Sequence, residues 1–191
     1  MMVRNDIKKE FGDYQTPGYF AVKVCNLLKD KLKISPAVVI DPTCGVGNFL
    51  KAALNVFDNV KEAVGVEINK EYCGKCRERI RDPRFDVTHE NFFSYEVTKH
   101  LKDETLFIGN PPWAMNANLK FNLPQKVNFK GLSGTDALTG ASNFDICEYI
   151  ILKLIEGSIG KNVSIAMLCK TSVARNVLLE LDRNDVPVDL V

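Results

Sequence analysis

The feature that most constrains this chain is a regular alternation of short apolar runs with longer stretches of helical spacing. Ala37–Ile40, Ala63–Val66, Phe85–Thr88, Leu106–Ile108 and Val163–Cys169 read as strands, several of them rich in β-branched residues. Between and around them, Tyr19–Lys31, Phe49–Phe57, Lys70–Ile80, Asn143–Ile155 and Ser172–Leu181 carry the apolar periodicity of helices. Thr16-Pro17 gives the first helix a start signal, so that helix is expected over 17–31. Strands that alternate with helices imply an α/β fold with a mostly parallel, doubly wound sheet. Residues 114–142, rich in Asn, Gly, Ser and Lys, read as one long loop. There is no internal repeat, and 1–191 is expected to form one domain.

In such sheets ligands gather at the carboxyl ends of the strands. The unusual residues of this sequence fall there: Asp41-Pro-Thr-Cys-Gly-Val-Gly47, Glu67, Asn91-Phe92 and Asn110-Pro111-Pro112-Trp113. The last of these follows an apolar strand and offers two oxygen acceptors, the Asn110 side chain and the Pro111 carbonyl, beside the flat face of Trp113. The two prolines stiffen the turn. Fixed acceptors beside an aromatic face suit a planar amine such as the exocyclic nitrogen of adenine. The competing reading is a proline-rich turn with Trp113 packed into the core.

The loop Asp41–Phe49 lies between a strand and a helix but departs from the dinucleotide fingerprint: it opens with an acid, and Leu50 stands where a third glycine belongs. An acid at that point repels a pyrophosphate and suits a cationic amine or sulfonium. Glu67, after the second strand, stands where an acid meets ribose hydroxyls in nucleotide sites. A nucleoside bearing an amino acid satisfies both, and S-adenosyl-L-methionine is such a ligand; NAD is the alternative. Phe92 or Phe93 is placed to stack on an adenine ring, or simply to fill the core.

The net charge of +1 excludes a strongly basic nucleic-acid coat but leaves room for a local patch. No apolar run is long enough to cross a membrane and no leader is evident, which favours a cytoplasmic protein. The six cysteines, at 25, 44, 73, 76, 147 and 169, form neither a disulfide framework nor a zinc pattern; Cys73-Gly-Lys-Cys76 has no second pair. Reduced structural thiols are expected, and no metal.

Taken in order, these motifs resemble those of the amino-group DNA methyltransferases, specifically the adenine-N6 enzymes of restriction–modification systems. Tyr14-Gln15-Thr16-Pro17 is similar to the family's N-terminal cofactor motif and Asp41–Phe49 to its glycine loop. Val64-Gly-Val-Glu-Ile-Asn69 is similar to the second motif, Asn91-Phe92-Phe93 stands at the third, and Asn110–Trp113 matches the catalytic tetrapeptide. The resemblance implies a Rossmann-like S-adenosylmethionine-dependent methyltransferase fold. It makes Tyr14, Thr16, Asp41, Thr43, Cys44, Gly45, Gly47 and Phe49 cofactor-binding, with Thr16 at the methionine part, Asp41 at its amino group and the Gly45–Gly47 backbone beneath. Glu67 would hold the ribose hydroxyls, Ile68 and Phe92 would sandwich the adenine, and Asn91 would accept from its amine. The family usually has Asp where this chain has Asn91, so that bond loses its charge.

The implied reaction is transfer of a methyl group to the N6 amine of an adenine flipped out of DNA, with Asn110 and Pro111 accepting the amine's hydrogens. Trp113 and Phe144 would contact the base, and Lys120, Lys126 and Lys130 of the long loop would meet phosphates, unless that loop is a surface insertion. The chain ends soon after the fifth strand, so the family's C-terminal strand hairpin and target-recognition domain are expected to be missing. Reading of the DNA sequence would then belong to another domain or chain, and the open sheet edge would favour self-association. A cognate restriction endonuclease is a further expected partner. The competing functions are methylation of protein glutamine or RNA, cytosine-N4 transfer, and a non-catalytic cofactor- or DNA-binding module.

Overall fold

The computed structural model describes residues 15–113, 145–189 and 191. The candidate residues Tyr14, Lys120, Lys126, Lys130 and Phe144 lie outside them. Five helices and five strands follow in the order α1 (Gly18–Asp30), β1 (Val38–Asp41), α2 (Asn48–Val56), β2 (Glu62–Glu67), α3 (Lys70–Arg79), β3 (Phe85–His89), β4 (Thr105–Gly109), α4 (Ile146–Ser158), β5 (Val163–Met167) and α5 (Thr171–Arg183). A short 3-10 turn, Val97–His100, precedes β4. Among the described residues the four strand pairings of the sheet are parallel and the order is β3-β2-β1-β4-β5. This is the doubly wound, Rossmann-like sheet that the alternation predicts.

The chain falls into two compact units, one of residues 15–110 with 154–168 and one that includes 111–113, 145–153 and 169–189. The first holds the whole sheet. On one sheet face Val39, Ala63, Val87, Leu106 and Ile108 meet Ala21, Cys25 and Leu28 of α1, Phe49, Leu50 and Ala53 of α2, and Cys73 and Cys76 of α3. Ala21, Cys25 and Leu28 recur at intervals of four and three, which is why α1 turns a single apolar stripe inward. Each large aliphatic or aromatic side chain buried here contributes about 1.5–3 kcal/mol of transfer free energy. The central strands β1 and β4 are buried along their whole length, and β5 only partly.

Local chemistry sets the helix starts. Asn69 caps α3, its side-chain oxygen accepting from the backbone N–H of Glu71 and Tyr72, with an acid in the first turn and Arg77 and Arg79 in the last. Pro17, extended at φ −59° and ψ 139°, sets off α1, and its carbonyl accepts from Phe20 and Ala21. In the second unit Glu148 of α4 accepts from Asn176 of α5 at 2.9 Å, and Asp145 caps Cys147 at 2.9 Å and meets Lys170 at 3.4 Å. All six cysteines are free thiols and five are buried. No helix of the described residues is long and apolar enough to cross a membrane.

Sequence and structure differ at several element ends. The helix expected over 143–155 runs Ile146–Ser158, and the strand expected to reach Cys169 stops at Met167. β5 pairs with β4 only as far as Gly109↔Met167, and Leu168 closes that register by donating to the Gly109 carbonyl at 2.9 Å.

Candidate active site

The strand order reverses between β1 and β4, the two neighbours that leave the sheet toward different sides of the sequence. Their carboxyl ends are Asp41 and Gly109, and Asn110 follows directly. A crevice at this point is where parallel sheets of this kind hold ligands. Gly109 packs so closely that a Cβ built on it would sit 2.7 Å from Asp41 Oδ1 and 3.5 Å from Met167 Sδ. The acid that ends β1 and the residue that leads into Asn110 are thus in contact, and no side chain fits between them.

Asp41 is 2% exposed, and its Oδ1 accepts from the Thr43 backbone N–H at 3.1 Å. Burial pushes its carboxyl up to about 8; the Thr43 bond pulls the other way, and the nearby Glu67 charge adds to the rise. The Thr43 hydroxyl is buried and has no hydrogen-bond partner. A buried acid short of cationic partners, next to an orphaned hydroxyl, fits the amino-acid end of S-adenosylmethionine.

The glycine loop between β1 and α2 is pinned from four directions. Gly45 N donates to Glu67 Oε2 at 2.8 Å, and the Gly45 carbonyl accepts from Cys76 Sγ at 3.1 Å. Val46 N donates to Gln15 Oε1 at 3.1 Å, while Cys44 N donates to the Val66 carbonyl at 3.0 Å. Gly45 and Gly47 have φ of +55° and +79°, the left-handed region that favours glycine. A side chain on Gly45 would also meet Gln15, and one on Gly47 would meet Ile80 and Cys76. The Cys44 thiol is held above the usual thiol range, first by its hydrogen bond with Cys76 and then by burial, so it packs as a neutral group.

Glu67, 8% exposed, spends its carboxylate differently from the sequence expectation alone. Oε2 takes the Gly45 N–H, and Oε1 takes the Asn69 N–H at 2.7 Å. A carboxylate oxygen can accept more than one hydrogen bond, so these two bonds do not by themselves bar a ribose hydroxyl. Its backbone carbonyl accepts from Glu90 N at 3.1 Å and ties the end of β3 to the end of β2. The following Ile68 is 49% exposed and presents a free apolar face, whereas Phe92 is 5% exposed and packs edge-on with Phe93 at 6.4 Å. Asn91 Oδ1 caps the Phe93 N–H at 3.0 Å.

Within the sheet-bearing unit the structure therefore gathers Thr16, Asp41, Thr43, Cys44, Gly45, Gly47, Glu67 and Asn110 at the ends of β1, β2 and β4. Phe49 is buried in the core behind the loop. Pro111 is buried, Pro112 half-buried and Trp113 43% exposed, so the indole is not a core residue. Sequence reasoning missed Gln15, Asn48, Gly65, Arg79 and Gly109. Gly65 has a visible reason: a Cβ there would lie 2.7 Å from Cys44 Sγ. Both Gly65 and Gly109 stand one or two positions before a motif residue, and that spacing was the available signal. Among the described residues no group of His, Cys, Asp and Glu is arranged to hold a metal ion.

No family model matches the chain. It is 41% identical over 181 residues to the Type II methyltransferase M.NspV of Nostoc sp., a match that covers 90% of this chain and 38% of that protein. The chain thus spans well under half the length of that relative. Among solved structures, a proposed RNA methyltransferase from Pyrococcus horikoshii superposes with a TM-score of 0.51 at 19% identity, over 89% of this chain and 70% of its own. A Thermoplasma acidophilum protein matches 96% of this chain and 78% of its own at a TM-score of 0.48 and 14% identity. Along its length the chain is thus similar to part of a Type II methyltransferase, and its parallel sheet is that of the Rossmann-like S-adenosylmethionine-dependent methyltransferase fold.

Proposed function

We propose that these residues form the cofactor-binding and catalytic part of a site-specific DNA methyltransferase that acts on the N6 amine of adenine. The cofactor is S-adenosyl-L-methionine, which supplies an electrophilic methyl group on a sulfonium. The observation that carries the reading is the close approach of Gly109 to Asp41, which puts Asn110 next to the acid that receives the cofactor's amino-acid end.

Asp41 and the Thr43 hydroxyl take the charged amino-acid end, and Thr16 lies on the same loop's rim. Glu67 receives the ribose hydroxyls at the end of β2. Ile68 covers one face of the cofactor's adenine, with Phe92 behind the opposite wall and Asn91 near its amine. Asn110 Oδ1 and the Pro111 carbonyl accept the two hydrogens of the target amine and draw its nitrogen toward tetrahedral geometry. The nitrogen lone pair, otherwise delocalised into the ring, is then free to attack, and the surplus proton leaves to water. Orientation and fixed dipoles supply the rate, with no covalent intermediate on the protein.

DNA is the partner, and the target base must leave the duplex to reach a site at the strand ends. Trp113, exposed beside the turn, stacks on the extruded base for about 1–3 kcal/mol. Lys120, Lys126, Lys130 and Phe144 belong to the DNA side of this reading, and a cognate restriction endonuclease is its expected companion in the cell. The test is Asn110→Ala. Tritium transfer from labelled S-adenosylmethionine to DNA should vanish while calorimetric cofactor binding persists, with N6-methyladenine the labelled nucleoside in the parent chain. Undiminished transfer by the variant, or label found only on RNA or protein glutamine, overturns it.

A further inference from the structure

Two residues that no step above uses connect the segment ahead of α1 to the glycine loop. Asn48, the first residue of α2, donates from Nδ2 to the Thr16 carbonyl at 2.7 Å and accepts at Oδ1 from Arg79 Nη2 at 2.9 Å. Arg79, in the last turn of α3, also reaches the Val46 carbonyl with Nη1 at 3.5 Å. Gln15 completes the circuit by accepting from Val46 N at 3.1 Å. An Asn amide has one donor end and one acceptor end, and here each is committed, which fixes which way the side chain faces. On its far side the 15–17 segment is anchored by α1, whose first turn bonds to the Pro17 carbonyl and whose Ala21 and Cys25 are in the core. On the loop side the contacts among the described residues are polar: Asn48 is half-buried and Arg79 exposed.

We propose that Asn48 and Arg79 are positioning residues for the cofactor, a polar latch that holds Gln15–Pro17 across the glycine loop and keeps Thr16 at the cofactor's methionine end. The proposal rests on the function given above. Neither residue touches a reacting atom; both act through Thr16 and Gln15. The latch joins two α-helices to the segment that carries Thr16, so a weaker latch loosens a contact that only the bound ligand makes. Its strength therefore governs release of the ligand more than capture.

The test uses the 191-residue chain and S-adenosylhomocysteine, so it needs no turnover. Asn48→Asp keeps the size of the side chain and its bond to Arg79 but replaces the donor to Thr16 with a repelling oxygen. Its ligand should dissociate about fivefold faster or more, the loss of one hydrogen bond, with the association rate unchanged. Amide exchange at Gln15 and Thr16 should quicken, while the thermal midpoint stays within a degree or so of the parent. Arg79→Ala, a surface change, should move release in the same direction by less, and Arg79→Lys should recover part of it. Parent-like release from both Asn48→Asp and Arg79→Ala overturns the latch and leaves the proposed function standing. A lowered midpoint with unchanged release also overturns it, by making the contacts structural only. Failure of the parent chain to bind the ligand removes the proposed function itself, and the latch with it.

Discussion

The carboxyl ends of β1 and β2 each carry a buried acid, and the two are used in opposite ways. Glu67 is satisfied by the protein: two backbone N–H groups, from Gly45 and Asn69, hold its two oxygens at 2.8 and 2.7 Å. Asp41 has one such bond, at 3.1 Å, and its carboxyl is pushed up to about 8. The first is a pin that shapes the glycine loop before any ligand arrives. The second is an acid that burial keeps protonated, and under the proposed function a cation would draw the proton off. Similar residues at similar positions thus sit in opposite electrostatic settings.

The comparison breaks most visibly through stability. Glu67→Ala strands the buried Gly45 N–H and the partly buried Asn69 N–H and should lower unfolding free energy by about 2–4 kcal/mol in chemical denaturation. Asp41→Asn should raise stability near neutral pH rather than lower it, because the amide imitates the protonated acid without the proton uptake that folding then requires. It should also weaken S-adenosylhomocysteine binding by about tenfold or more in calorimetry, since a charge-assisted contact becomes a neutral one. Equal stability losses in the two variants would erase the distinction.

Titration sharpens it. Burial raises the Asp41 carboxyl from 3.8 to about 8, so between those values the folded chain keeps a proton that the unfolded chain has lost. The contribution of this group to stability is therefore full below pH about 3.8 and is lost as pH rises toward about 8. Asp41→Asn should flatten that part of the stability–pH curve. A slope that persists unchanged assigns it to another group.

The smallest effect separates the glycines. Gly47, with φ +79° and Ile80 Cδ1 2.8 Å from a built Cβ, should lose about 1 kcal/mol or more on change to Ala. Gly74, inside α3 with open space around it, should gain about 0.5–1 kcal/mol from the same change. A loss at Gly74 as large as that at Gly47 would contradict the contrast.

The order of elements was legible because short β-branched runs and 3.6-residue spacing are local properties, and the glycine loop and the Asn-Pro-Pro-Trp turn announce themselves by composition. Their meeting at the strand reversal follows from topology, which the alternation implies. Other features are set by contacts distant in sequence. That Glu67 would accept from Gly45, or that Gln15 would accept from Val46, depends on separations of 22 and 31 residues. Phe92 illustrates the limit: an aromatic residue after a strand suits stacking or core equally, and only its 5% exposure shows that it lies mainly inside. The 3-10 turn at Val97–His100 has no apolar period to reveal it.

The most direct test of the central claim, that Asp41 receives the cationic end of the cofactor, is a calorimetric titration with S-adenosylhomocysteine near pH 7 in buffers of different ionisation enthalpy. The account predicts release of about one proton per ligand bound, absent in Asp41→Asn and fading above pH about 8. Saturable binding with no proton released, and undiminished in Asp41→Asn, would contradict it.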